Sequence, residues 1–154
     1  YAQTSFISST FWTERIGPSA GLETLKIMEK VKSWEIISKV GKKIKTNWNK
    51  LAYKNSLPLK IQGIDALPNF YFKSKKNNAY KTFISQEMLK RNILASNAIY
   101  TSISHNKKIL EKYFNILDDI FRKINKCENE SENIYNLLEV NESITGLRNK
   151  GKNV

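Results

Sequence analysis

Apolar residues Leu22, Leu25, Met28 and Val31 recur three positions apart and mark one face of an amphipathic helix. Gly17-Pro18 stands just ahead, where a first helical turn tolerates a residue without an N–H. Ser33 reads as the N-cap of a second helix. Its apolar stripe is Ile37, Val40, Ile44, Trp48 and Leu51, with lysines on the other faces and a stop at Asn55 and Pro58. The period then becomes two. Leu59 and Ile61 alternate with Lys60 and Gln62, Gly63 marks a turn, and Phe70 and Phe72 share a face opposite Tyr71. The polar run KKNNAY leads into a third helix built on Tyr80, Phe83, Ile84 and Met88, with Asn92 as a left-handed stop. ILAS and AIYTSI read as two short strands or one interrupted strand. Asn106 caps a last long helix along Ile109, Leu110, Tyr113, Leu117, Ile120 and Ile124. This order predicts an α+β fold, helices on a small, mostly antiparallel sheet. Beyond Lys126 the chain turns acidic, then basic, and reads as a weak helix and a flexible tail outside the core.

Composition narrows the function classes. The 154 residues, 40% hydrophobic and 11% aromatic, suffice for a core of ordinary size. No apolar run approaches the ~20 residues of a membrane span, and no signal-peptide pattern opens the chain. A single cysteine, Cys127, allows no internal disulfide, so a reducing compartment and a cytoplasmic location are expected. The formal net charge of +12 invites a nucleic-acid reading. The cations are nearly all lysine, with arginine only at 15, 91, 122 and 148, whereas base readout and bidentate phosphate contacts favour arginine. Solvated lysine faces account for the charge, and nucleic-acid binding is not expected.

Few residues carry chemistry on their own. One His and one Cys, without CxxC or HExxH spacing, exclude the usual metal motifs, and no glycine-rich phosphate loop is present. His105 reads as a side chain satisfied near a helix N-terminus, Cys127 as inert, and Asp118 and Asp119 as surface charge paired along their own helix. Trp34 and Trp48 lie on apolar helical faces and read as packing residues. The stretch SSTFWTERIGPSAGLETL, residues 8–25, holds more hydroxyls than one cap requires: Ser8, Ser9, Thr10 and Thr13. Hydroxyls and free backbone N–H groups ahead of a helix form either an anion site, suited to a phosphate, or a plain capping loop. The residues alone leave both open.

The segments AQTSFISSTFWTERIGPSAGLETLKIME, GIDALPNFYF, SQEMLKRNILASN and SISHNKKILEKYFNILDDIF, in this order from about Ala2 to Lys126, resemble the C-terminal third of class III pyridoxal-phosphate-dependent aminotransferases. The branch they resemble includes glutamate-1-semialdehyde aminomutase and its sugar-cluster relatives. The resemblance implies the small C-terminal α+β domain of a fold type I transferase. Residues 1–16 would be a remnant of the large cofactor domain, 17–126 the linking helix and C-terminal domain, and 127–154 a weak helix and tail. It implies that Thr10, with Ser9 before it, contacts the phosphate of pyridoxal 5'-phosphate across a homodimer interface. The family's Asn-Pro is replaced here by WTERIGP, with Glu14 and Arg15 among the expected small residues.

The family's Schiff-base lysine and the Asp that pairs the pyridinium nitrogen lie upstream of this region, and no lysine here matches that motif. The resemblance therefore implies no catalytic residue in this chain. The chain is expected to be part of a longer enzyme that moves an amino group between a donor and an acceptor, by transamination or aminomutation, and to lack activity alone. A second reading is a non-enzymatic, lysine-rich interaction module binding nucleic acid or an acidic partner.

Overall fold

The computed structural model describes residues 14–144. The chain divides into two compact units, one up to Glu35 and one from Ile36 onward. The first holds α1 (Ile16–Val31), in which no residue is buried. Pro18 sits in its first turn, and Lys32 ends it in the left-handed region at φ 50°, its N–H donating to the Glu29 carbonyl at 3.2 Å. The next helix, α2 (Ser33–Lys54), starts at the expected serine. Ser33 is nevertheless buried, and its Oγ has no hydrogen-bond partner, so it does not act as a capping side chain.

The remaining elements are β1 (Leu59–Gln62), β2 (Asn69–Phe72), α3 (Asn77–Leu89), α4 (Lys107–Glu128) and the single turn α5 (Ile134–Leu137). Helices on a small antiparallel sheet give the α+β class read from the sequence. β1 and β2 pair antiparallel in the register Leu59–Phe72 and Ile61–Phe70. That register puts Phe70 and Phe72 into the core and leaves Lys60 outside, its ammonium 5.8 Å from the Tyr71 ring. α3 packs against α4, α5 and β2. The core gathers Ile44 and Trp48 from α2, the two strand phenylalanines, Tyr80, Phe83 and Ile84 from α3, and Leu117, Phe121 and Ile124 from α4. Its aromatic rings meet edge to face, Trp48–Phe70 at 4.8 Å and Phe72–Tyr80 at 5.3 Å, the arrangement the ring quadrupole favours.

The expected strands in ILAS and AIYTSI do not form. Residues 97–101 do run antiparallel to 66–70: Phe70 N–H donates to the Asn97 carbonyl at 2.9 Å, Ile99 to Pro68 at 3.1 Å and Thr101 to Ala66 at 3.0 Å. Opposite residues in a ladder exchange two bonds, but Pro68 has no N–H to return to Ile99. At the next position the Asn97 side chain, through Nδ2, occupies the Phe70 carbonyl at 2.9 Å. Only one isolated bridge, Asn69–Ala98, survives.

The segment beyond Lys126 also departs from expectation. α4 continues to Glu128, Cys127 and Ile134 are fully buried, and Leu137 and Leu138 pack against the core. Polar bonds tie the following residues to α3. Gln86 Nε2 donates to the Leu137 carbonyl at 3.0 Å, Glu139 N–H to Gln86 Oε1 at 2.8 Å, and Ser143 N–H to Thr82 Oγ1 at 2.8 Å. The weak helix is present as α5, but it belongs to the core.

Candidate functional site

Ser9 and Thr10, the expected phosphate contacts, lie outside the described residues, as do Ser8, Trp12 and Thr13. Arg15 occupies the N-cap of α1 and makes no side-chain capping bond. Metal chemistry has no foothold among the described residues, which hold no cluster of three His, Cys, Asp or Glu side chains. No helix among them is long and apolar enough to cross a membrane.

The other singled-out residues divide clearly. Asn106 caps α4, its Oδ1 accepting from Ile109 N–H at 3.0 Å. His105 sits immediately before that cap at the helix start, and its Nδ1 accepts from Ser102 N–H at 3.0 Å. Burial pushes the Cys127 thiol up, away from the thiolate that reactivity requires. Trp48 is fully buried and its Nε1 donates to Tyr113 Oη at 3.0 Å, whereas Trp34 is about half exposed. Asp118 corrects the surface-charge reading. Its carboxylate accepts from Lys54 Nζ at 2.5 Å and Asn55 Nδ2 at 2.9 Å, both at the end of α2, and is only 17% exposed. Asp119 pairs with Arg122 on its own helix, as read from the sequence.

Sequence reasoning missed the buried acid of α3 and the half-buried one at the end of α4. Glu87, 8% exposed, meets Lys90 at 3.0 Å, Arg91 at 3.3 Å and Lys123 of α4 at 3.4 Å. Burial alone would raise its carboxyl. Hydrogen bonds from Lys90 and Gln86 and the charges of Lys123 and Lys90 outweigh that and hold it at about 2. Lys90 also pairs with Glu139, so the cluster fastens the segment after α5 as well as α4. Near the other end of α3, Glu128 Oε1 accepts from Tyr80 Oη at 2.5 Å and Ser74 Oγ at 2.7 Å. Burial, then the neighbouring Glu128, pushes the Tyr80 hydroxyl far up, so it stays a donor. Both tie elements of the fold together, and the Gln86, Lys90 and Glu139 members of the Glu87 cluster also border an open groove.

Two open spaces flank the irregular 92–100 segment. A groove of about 660 Å³ lies on one side of Leu94, Ala95 and Ala98, against Thr82, Gln86 and Leu89 of α3 and Val140. A second cavity of about 540 Å³ lies on the other side, against the first turns of α4. Both fall within the ~300–1,000 Å³ typical of small-molecule sites.

The fold matches a solved structure, the PLP internal aldimine form of the FumI protein of Sphingopyxis sp. MTA144, with a TM-score of 0.71 and 17% sequence identity. The match covers 89% of this chain and 34% of that one, so the chain spans about a third of that protein's length. No family model matches the chain, and no curated protein matches it.

Proposed function

We propose that this chain is the C-terminal α+β part of a pyridoxal-phosphate-dependent aminotransferase or aminomutase of the class III type. The observation that carries the reading is the agreement in fold, over nearly the whole chain, with one third of a protein solved in its PLP internal aldimine form. The order of segments resembling class III enzymes from Ala2 to Lys126 supports it independently. In this reading the complete enzyme is a cytoplasmic homodimer that passes an amino group from a donor to an acceptor. When bound, the cofactor supplies an electron sink for charge developing at the amino-bearing carbon.

The described residues do not themselves fit the cofactor. A Schiff-base lysine needs a neutral amine, which burial provides. Every lysine between residues 14 and 144 is exposed or half-exposed, and Lys90, which lines the larger groove, is held by two carboxylates. The reactive lysine is therefore assigned to the part of the enzyme that this chain does not span. The contribution of this chain is positional: Thr10 donates its hydroxyl to the cofactor phosphate of the neighbouring subunit, and Ser9 supports it with its backbone N–H.

The test uses the longer polypeptide that carries this chain. Thr10→Val keeps the branched shape and deletes the donor, and a hydrogen bond to a charged group contributes about 1.5–3 kcal/mol. Cofactor affinity should fall roughly ten- to hundredfold, with a smaller loss for Ser9→Ala. His105→Ala, the control, should leave the half-reaction rate nearly unchanged. Cofactor retention by Thr10→Val equal to the parent's would overturn the site. The 154-residue chain alone should give no stoichiometric, borohydride-trapped adduct at one lysine. Sub-micromolar, sequence-selective DNA binding at physiological salt would instead favour the lysine-rich interaction module.

A further inference from the structure

The 540 Å³ cavity beside α4 differs in chemistry from its larger neighbour. Its floor is apolar, formed by Ile93, Ala95, Ile99 and Leu110. Ile109, Lys112 and Tyr113 also line it, and their spacing of three and four places them on one face of α4. His105 and Tyr100 complete the rim. No aspartate or glutamate lines it among the described residues.

The rim donors are unspent. His105 Nδ1 accepts from Ser102 N–H, so the neutral ring carries its proton on Nε2. Among the described residues that Nε2–H has no acceptor, and Lys112 has no carboxylate within 4.0 Å. Glu111, the adjacent acid, pairs with Lys107 at 3.7 Å. The larger groove offers no such site, because its cation, Lys90, is already shared between Glu87 and Glu139.

We propose that this cavity binds a small aliphatic monocarboxylate, its carboxylate held at the rim by His105 and Lys112 and its hydrocarbon chain laid on Ile93, Ile99, Ile109 and Leu110. Apolar floor and cationic rim match the two ends of such a molecule, and the volume accommodates a chain of medium length. The inference rests on the cavity's own residues and does not depend on the enzyme reading above.

Octanoate, hexanoate and octanol, titrated into the 154-residue chain below any micellar concentration and followed by calorimetry and amide chemical shifts, test it. Octanoate should bind one to one and shift residues on both sides of the cavity. Burying two further methylenes should make it roughly tenfold tighter than hexanoate. Lys112→Gln, at an exposed position, should weaken octanoate about three- to tenfold and leave octanol unchanged. Ile109→Glu, on the half-exposed wall, should abolish octanoate binding while preserving the amide spectrum elsewhere. Three results would each overturn the proposal: no saturable octanoate binding, octanol bound as tightly as octanoate, or Ile109→Glu binding like the parent.

Discussion

Replacing Glu87 by Gln removes a charge and almost no volume, which makes the substitution a direct probe of how α3, α4 and the segment after α5 are joined. The carboxyl lies at about 2 in the folded chain against an ordinary 4.5. Each unit of that displacement corresponds to about 1.4 kcal/mol of preference for the ionised form, which gives roughly 3 kcal/mol at neutral pH. Lys90 and Lys123 are each nearly half exposed, so solvent screens their share, and about 2 kcal/mol is the working figure. Because the folded value is depressed, the stabilisation is fully present above the unfolded value near 4.5 and is lost as pH falls through about 2. Urea unfolding of parent and Glu87→Gln should therefore differ by about 2 kcal/mol at pH 7 and at pH 6. The gap should narrow steadily from pH 4.5 towards pH 2. Other carboxylates titrate alike in both proteins and cancel in the difference. A gap that stays constant from pH 7 to pH 2.5 would refute the ionic origin and leave only packing.

Tyr113→Phe strands the buried Trp48 N–H, which should cost about 1–3 kcal/mol in urea unfolding. A double-mutant cycle with Trp48→Phe should recover most of that cost. At Gly41 an added Cβ would lie 1.8 Å from the Asp65 carbonyl oxygen, a backbone atom that cannot rotate away. Gly41→Ala should lower the unfolding free energy by about 3 kcal/mol or more, whereas the same change at Gly21, with open space around it, should not destabilise its helix. Ile134→Ala should cost about 2–4 kcal/mol, and a cost below 0.5 kcal/mol, as at ordinary surface sites, would return residues 127–144 to the role of an accessory tail.

Local patterns carried much of the fold into the sequence. The α2 and α4 stripes, the alternation around Phe70 and Phe72, the cap at Asn106 and the left-handed Asn92 (φ 58°) all depend on residues within a turn or two of each other. The misreadings share a different cause. The 93–101 stretch has the composition of a strand, and its pairing fails because of a proline and an asparagine contact some thirty residues earlier in the chain. The segment after Lys126 has one short apolar stretch, Ile134, Tyr135, Leu137 and Leu138, and a single turn is too short a pattern from which to read burial. Glu87 and Lys123 are far apart in sequence, as are Lys54 and Asp118, so neither tie leaves a local trace. At the candidate site, the position of His105 at a helix start was legible from its place before the Asn106 cap. The cavity beside it was not, since it is lined by the 92–100 loop and the first turns of α4, and no local pattern shows how they meet.

The burial of Ile134 bears on when this protein can fold during its own synthesis. The core residues run from Ile44 to Ile134, and α3 is fastened by residues as late as Ser143. A ribosome that has released the strands and α3 has not yet delivered their cover from α4 and α5. Until it does, Phe70, Phe72 and Phe83 have no complete enclosure, and the nascent chain carries an aromatic surface of the kind chaperones hold. Closure of this unit is thus a late event, completed only once the chain as far as Ser143 has been delivered.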